Sequence, residues 1–236
     1  MVPVLLRILA SSLALAALPA PASEPSARAL ASRCVAAYGG AEAIARAAGF
    51  VQEGTVTSLL HPGMTGRIGR AFRRPGRLRI EIAYPDRSGE VRVLDGSEGW
   101  RDGAPASGPQ LAAMVLHAAR LDIPALLAEK GRKLAERGTW QHEGKTLRVL
   151  AFEVGPGLEV EAGIDPDTGL ILRSRSFTAG PGRPVEFVTS YSEFREVGGV
   201  LFAFREGNWA NGATTGETLL SRVEVVAGPD QGLFRP

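Results

Sequence analysis

The chain predicts an α+β fold: one domain built on a curved antiparallel sheet, with helices covering its concave face. Three observations predict it. From Phe50 onward, short segments alternate apolar and polar residues, and turn signals follow each of them closely. Several segments are apolar on both faces, as a sheet wrapped around packed helices requires. One helical stretch, residues 108–130, interrupts the strands midway.

The opening "MVPVLLRILASSLALAALPAPASEP" has one charge, Arg7, an apolar run from Ile8 to Leu18, and an A-x-A site at Ala20-Pro21-Ala22. A bilayer needs about 20 apolar residues. This run is shorter and reads as a secretory signal over residues 1–22, cleaved near Ala22. The domain is then residues 23–236. Cys34 is the single cysteine; an internal disulfide is ruled out, and Arg33 before it is unlike a lipidation site.

The full chain carries 27 basic and 25 acidic residues, and cleavage would remove only Arg7. The arginines are scattered, without aromatic interleaving, so no nucleic-acid partner is expected.

Residues 26–38, "SARALASRCVAAY", place Leu30, Cys34 and Ala37 at helical spacing until Gly39-Gly40 stop the helix. "AEAIARAAG" reads as a second helix. In "RLRIEIAY", Leu78, Ile80, Ile82 and Tyr84 face one way and Arg77, Arg79 and Glu81 the other. Further strands are expected near 50–59, 67–73, 90–94, 98–101, 132–140, 145–154, 158–164, 170–178, 184–196, 199–208 and 214–226. The connections "RPGR", "PDRSGE", "HEGK", "GPG" and "VGG" are hairpin turns. Short connections imply an antiparallel meander.

In the insert, Leu111, Met114, Val115, Ala118 and Leu121 share a face, and Pro124 forces a break or a fresh start. "DGAPASGP" before it reads as a mobile loop. Leu147, Val149 and Ala151 oppose Leu150, Phe152 and Val154; Leu219 and Val223 oppose Leu220 and Val226. Phe152, Phe177, Phe187, Tyr191, Phe202 and Phe204 fall on strands, with Trp100, Trp140 and Trp209 near strand ends.

Reactive motifs are sparse. "GIDPDTGLILRSRSF" carries Asp165 and Asp167, but a calcium loop from Asp165 would put Leu170 at position six and Ser176 at position twelve. A tight turn with both carboxylates towards solvent accounts for the stretch. No G-x-S-x-G, S-x-x-K, H-E-x-x-H or P-loop occurs. His61, His117 and His142 are far apart in sequence, and Cys34 reads as a core residue. No catalytic residue, metal site or cofactor is expected.

The order of "AAYGGAEAI", "GRLRIEIAYPD", "LDGSEGW", the helical insert, "GIDPDTGLI" and "YSEFREVGGVLF" resembles the LolA-like superfamily of periplasmic lipoprotein carriers, related to the sensor RseB. The resemblance implies an unclosed half-barrel of about eleven strands with helices as a lid over an acyl-binding hollow. It also implies a periplasmic location and an arginine holding the lid, for which Arg67, Arg70 and Arg79 are candidates by strand location.

The expected function is non-enzymatic: a carrier for lipid or lipoprotein acyl chains, with membrane-bound donor or acceptor proteins as possible partners. Leu78, Ile80, Ile82, Leu111, Met114, Val115, Phe152, Phe187, Phe202 and Phe204 are expected to line an apolar hollow and its lid. The alternatives are an envelope sensor that binds a protein partner, and a hydrolase with an unrecognised site.

Overall fold

The computed structural model describes residues 26–59, 62–86, 88–178 and 184–236. The expected signal peptide and His61 lie outside the described residues.

Helix α1 (Ala27–Ala37) begins where the Ser26 hydroxyl accepts a hydrogen bond from the Ala29 amide. It ends before Gly39, whose φ is +104° and where a Cβ would come within 2.0 Å of the Gly199 carbonyl oxygen. Only glycine fits both demands. Helix α2 (Gly40–Arg46) follows. The strands are then β1 (Gly49–Ser58), β2 (Thr65–Arg73), β3 (Arg77–Ala83), β4 (Gly89–Asp95), β5 (Glu98–Arg101) and β6 (Ala104–Pro105). Helices α3 (Gly108–Leu121) and α4 (Ile123–Ala128) come next, with Pro124 in the first turn of α4. The chain closes with β7 (Ala135–His142), β8 (Lys145–Gly155), β9 (Leu158–Ile164), β10 (Ile171–Phe177), β11 (Glu186–Val197), β12 (Val200–Ala210), β13 (Ala213–Val226) and a 3-10 turn at Gln231–Phe234.

All the strands form one 13-stranded antiparallel sheet in the order β6-β5-β4-β3-β2-β1-β13-β12-β11-β10-β9-β8-β7. The first and last strands meet in its middle. Its edges, β6 and β7, are the two strands that flank the helical insert in sequence. Helices α3 and α4 must therefore carry the chain from one edge to the other. Thirteen strands about 4.8 Å apart would make a flat sheet about 58 Å wide, whereas a 14-residue helix is about 21 Å long. Yet α3 touches β4 and β5 near one edge and β8, β9 and β10 near the other. Only a sheet curved into an open half-barrel allows both. The α+β expectation holds.

The strand count differs. All twelve segments read from the sequence are strands, against about eleven from the family resemblance. The thirteenth, β6, falls in the stretch expected to be a mobile loop. Pro105 is tolerated there because an edge strand has a side that needs no amide donor.

Register sets the inner face. Phe50, Phe72, Leu78 and Leu94 stand in one row across β1 to β4, and Gln52, Arg70, Ile80 and Arg92 in the next. The first row packs with Met114 and Ala118 of α3. At Gly99 the helix comes so close that a Cβ would lie 2.8 Å from a Leu111 methyl. A second cluster joins α1, α2 and α4 to Leu150, Phe152, Val160, Ala162 and Ile164.

The strands apolar on both faces have a physical reason outside the half-barrel as well as inside. Trp140 lies over Gly163 and Leu147 on the outer side of β8 and β9, and Phe234 of the C-terminal turn covers Ala71 and Val93. In β13 the expected pairing of Leu219 with Val223 is corrected. A bulge opposite Glu53/Gly54 shifts the alternation and puts Leu220 and Val223 in one cluster with Phe204.

"DPDTG" is a turn, with one correction. Asp167 is exposed, but Asp165 is buried rather than turned to solvent. Its carboxylate accepts from the Asp167 amide at 3.0 Å and from Lys145 Nζ at 2.6 Å. Burial pulls its pKa up; the hydrogen bonds and the Lys145 charge outweigh that and leave it lowered.

Candidate ligand-binding cavity

A cavity of ≈ 870 Å³ lies between α3 and the inner face of the sheet, within the range of about 300–1,000 Å³ found for ligand pockets. One stripe of α3 lines it: Pro109, Gln110, Ala113, Met114, His117 and Arg120, spanning about 16 Å along the helix axis. Pro109, Gln110, Leu59, Thr214 and Thr215 are exposed and mark the mouth. Arg70, Ile80, Thr189 and Thr218 are buried and mark the interior.

The lining is mixed rather than uniformly apolar as expected. Val56, Ile68, Ile80, Ile82, Met114 and Phe187 supply hydrocarbon. The interior end is polar. Arg70 of β2 crosses β1 and β13 to pair with Glu206 of β12 through two bonds, Nη1 to Oε1 at 2.8 Å and Nη2 to Oε2 at 2.7 Å. Gln52 and Thr218 accept from the same guanidinium at 3.4 Å, but its buried Nε has no acceptor. Nearer the sheet edge, Arg92 and Arg101 both bond to Glu90.

Arg120 enters from the helix. It donates to the Ser176 hydroxyl at 3.0 Å and sits 5.7 Å from the Phe187 ring centre. Burial lowers its pKa; Tyr191 and Glu206 pull the other way, and Arg70 and Arg92 add to the lowering. His117 is held neutral by burial and by Arg120, Arg70 and Arg92. Arg120 also lines a smaller cavity of ≈ 70 Å³ with Tyr38, Tyr191 and Phe202.

Of the residues expected to line a hollow, Ile80, Ile82, Met114 and Phe187 do so. Leu78, Leu111 and Val115 fill the packed contact between α3 and β1–β4 instead. Phe152 packs among the helices, Phe204 packs with Leu220 and Val223, and Phe202 reaches the smaller cavity. Periodicity marks a face as buried but does not distinguish packed residues from cavity walls.

Two features escaped the sequence reading. The polar stripe Gln110, His117 and Arg120 runs along an otherwise apolar insert at helical spacing, which is a legible signal. Arg74, quoted only as part of a turn, bonds Asp122 between α3 and α4 at 2.7 Å and the Ala47 carbonyl behind α2 at 2.6 Å. It ties the helices to the sheet. Of the earlier candidates, Arg67 is exposed, Arg79 reaches Glu81 and the Leu233 carbonyl, and Arg70 holds Glu206.

Burial pushes the Cys34 thiol up to about 12, far from a nucleophile's range. Among the described residues no three His, Cys, Asp or Glu side chains gather as a metal site, and no helix is long and apolar enough to cross a membrane.

The architecture is that of a known class. A LolA superfamily protein from Nitrosomonas europaea has the same fold, at 11% identity over 83% of this chain and 97% of that one, with a TM-score of 0.53. A DUF1329 family protein from Desulfovibrio piger matches over 89% of this chain and 97% of that one, at 14% identity and a TM-score of 0.54. No family model and no curated protein matches the sequence. At these identities the likeness is one of fold, and it is the fold the sequence resembled.

Proposed function

We propose that the chain is a non-enzymatic periplasmic binding protein or carrier that shelters lipid or lipoprotein acyl chains beneath α3. The observation that carries this reading is the ≈ 870 Å³ cavity between α3 and the sheet. Each methylene leaving water gains about 0.8 kcal/mol, so a long acyl chain gains on the order of 10 kcal/mol. A membrane offers the same chain a similar gain, so a carrier must not bind much more tightly than a bilayer. The mixed lining suits that limit, because hydrocarbon covers only part of the wall. The LolA-like fold supports the reading as an architecture that can hold such a hollow.

Solvent extraction of the purified protein followed by mass spectrometry tests it. Acyl species are expected in stoichiometric amount, and a neutral dye such as N-phenyl-1-naphthylamine should enter the cavity. Ala113→Trp, which fills the cavity from the helix side, should abolish both. Extracts free of acyl species, with dye uptake unchanged by Ala113→Trp, would refute the proposal; a protein partner insensitive to that variant would favour sensing.

A further inference from the structure

Among the arginines lining the large cavity, charge is unevenly matched. Arg70 has Glu206, and Arg92 and Arg101 share Glu90. Arg120 lines the same cavity with no carboxylate within salt-bridge distance among the described residues; its contacts are one hydroxyl and one ring face. One helical turn away, His117 lines the cavity with no side-chain hydrogen-bond partner among the described residues. The buried Nε of Arg70 lacks an acceptor too. A guanidinium without a carboxylate partner and an imidazole without a side-chain bond therefore face the interior end together, whereas Val56, Ile68 and Ile82 offer only hydrocarbon.

Resting on the acyl-binding reading, we infer that the ligand is a free anionic amphiphile whose oxyanion headgroup lies against Arg120 and His117. A carboxylate or phosphate there gives the guanidinium the charged acceptor it lacks and takes the N–H of a neutral imidazole. The hydrocarbon tail then runs along the α3 stripe past Met114 towards Pro109 at the mouth. This orientation selects a free lipid over the acyl chains of a lipoprotein, which carry no free carboxylate to place at the interior end.

Displacement of N-phenyl-1-naphthylamine by hexadecanoate, hexadecanol and palmitoyl-lysophosphatidylglycerol tests this on the purified chain. Hexadecanoate should bind about tenfold or more tighter than hexadecanol, a ratio equivalent to one charge-assisted hydrogen bond. Arg120→Gln should erase that preference and leave hexadecanol unchanged, while Arg120→Lys keeps part of it. An unchanged urea midpoint in each variant shows that folding is intact. Should Arg120→Gln fail to fold, the hexadecanoate-to-hexadecanol ratio in the unaltered chain decides alone. A lysophosphatidylglycerol affinity that also depends on Arg120 assigns a phosphate headgroup; its exclusion assigns a carboxylate. Equal binding of acid and alcohol overturns this inference but spares the acyl-binding reading. Failure of the dye and all three lipids to bind overturns both.

Discussion

At the scale of single residues, adjacent chemical groups have opposite fates. Asp165 and Asp167 are two positions apart in a stretch that the sequence shows as symmetrical, yet one is buried and bonded and the other is exposed. Burial follows from what packs around the turn: Arg33 of α1 donates to the Pro166 carbonyl, and Lys145 arrives from β8. No local pattern carries that information. Asp165→Ala should cost about 1.5–3 kcal/mol, the usual worth of hydrogen bonds to a charged group, whereas Asp167→Ala should change stability by less than about 0.5 kcal/mol. Urea unfolding at neutral pH measures both. The lowered pKa fixes the sign of the pH dependence: the Asp165 contribution is full above the unfolded carboxylate value and fades as pH falls through the folded one. The Arg70–Glu206 pair differs because both side chains are almost wholly enclosed. Arg70→Met alone leaves Glu206 buried without its cation and should cost about 3–5 kcal/mol, and adding Glu206→Met should recover most of the loss. A joint variant no more stable than the single one would show that the pair is not acting as a unit.

At the scale of elements, the helical insert was legible because its apolar stripe and Pro124 are local signals. What it does was not, because that depends on β6 and β7 being opposite edges of one sheet. The same holds for its attachment. Asp122 sits between α3 and α4, bonded to Arg74, and burial raises its carboxyl to about 6 despite the Arg74 charge. The folded chain thus holds a proton there more tightly than the unfolded chain, whose carboxyl titrates at about 3.9. Its stabilising contribution is therefore greatest below about pH 4 and declines as pH rises through about 6. Asp122→Asn has no proton to lose. Urea midpoints taken across this window should show the unaltered chain losing ground to the variant up to about pH 6, with a constant gap above. A gap that moves the other way would mean that the Arg74 charge dominates burial.

At the scale of the whole molecule, the sequence revealed twelve of the strands and the antiparallel pairing of sequential neighbours, because period-2 alternation and turn residues are short-range facts; the β1–β13 pairing at the centre was not legible. The cavity was only half legible. Its hydrocarbon could be read from alternating strands, but its polar end required residues from β2, β12 and α3 to converge, which only the curvature brings about. Curvature also decides which end of the chain matters most. β13 is last in sequence but sits at the centre of the sheet, pairing with β1 on one side and β12 on the other. Its pairing with β1 closes a separation of more than about 150 residues, so its loop-closure cost is met only by the contacts of the whole sheet. A chain ending at Gly212 would keep ten of the twelve strand pairings, yet lose the seam that joins the two halves and bare two long interior edges. Such a truncation should fail to give a cooperative thermal transition by circular dichroism and should aggregate. Replacing Ala104 and Pro105 by glycine, which removes only the two-residue edge strand, should leave the transition within a few degrees of the original. If the truncated chain instead unfolds cooperatively, the halves are independent units and α3 alone, not the central pairing, holds the half-barrel together.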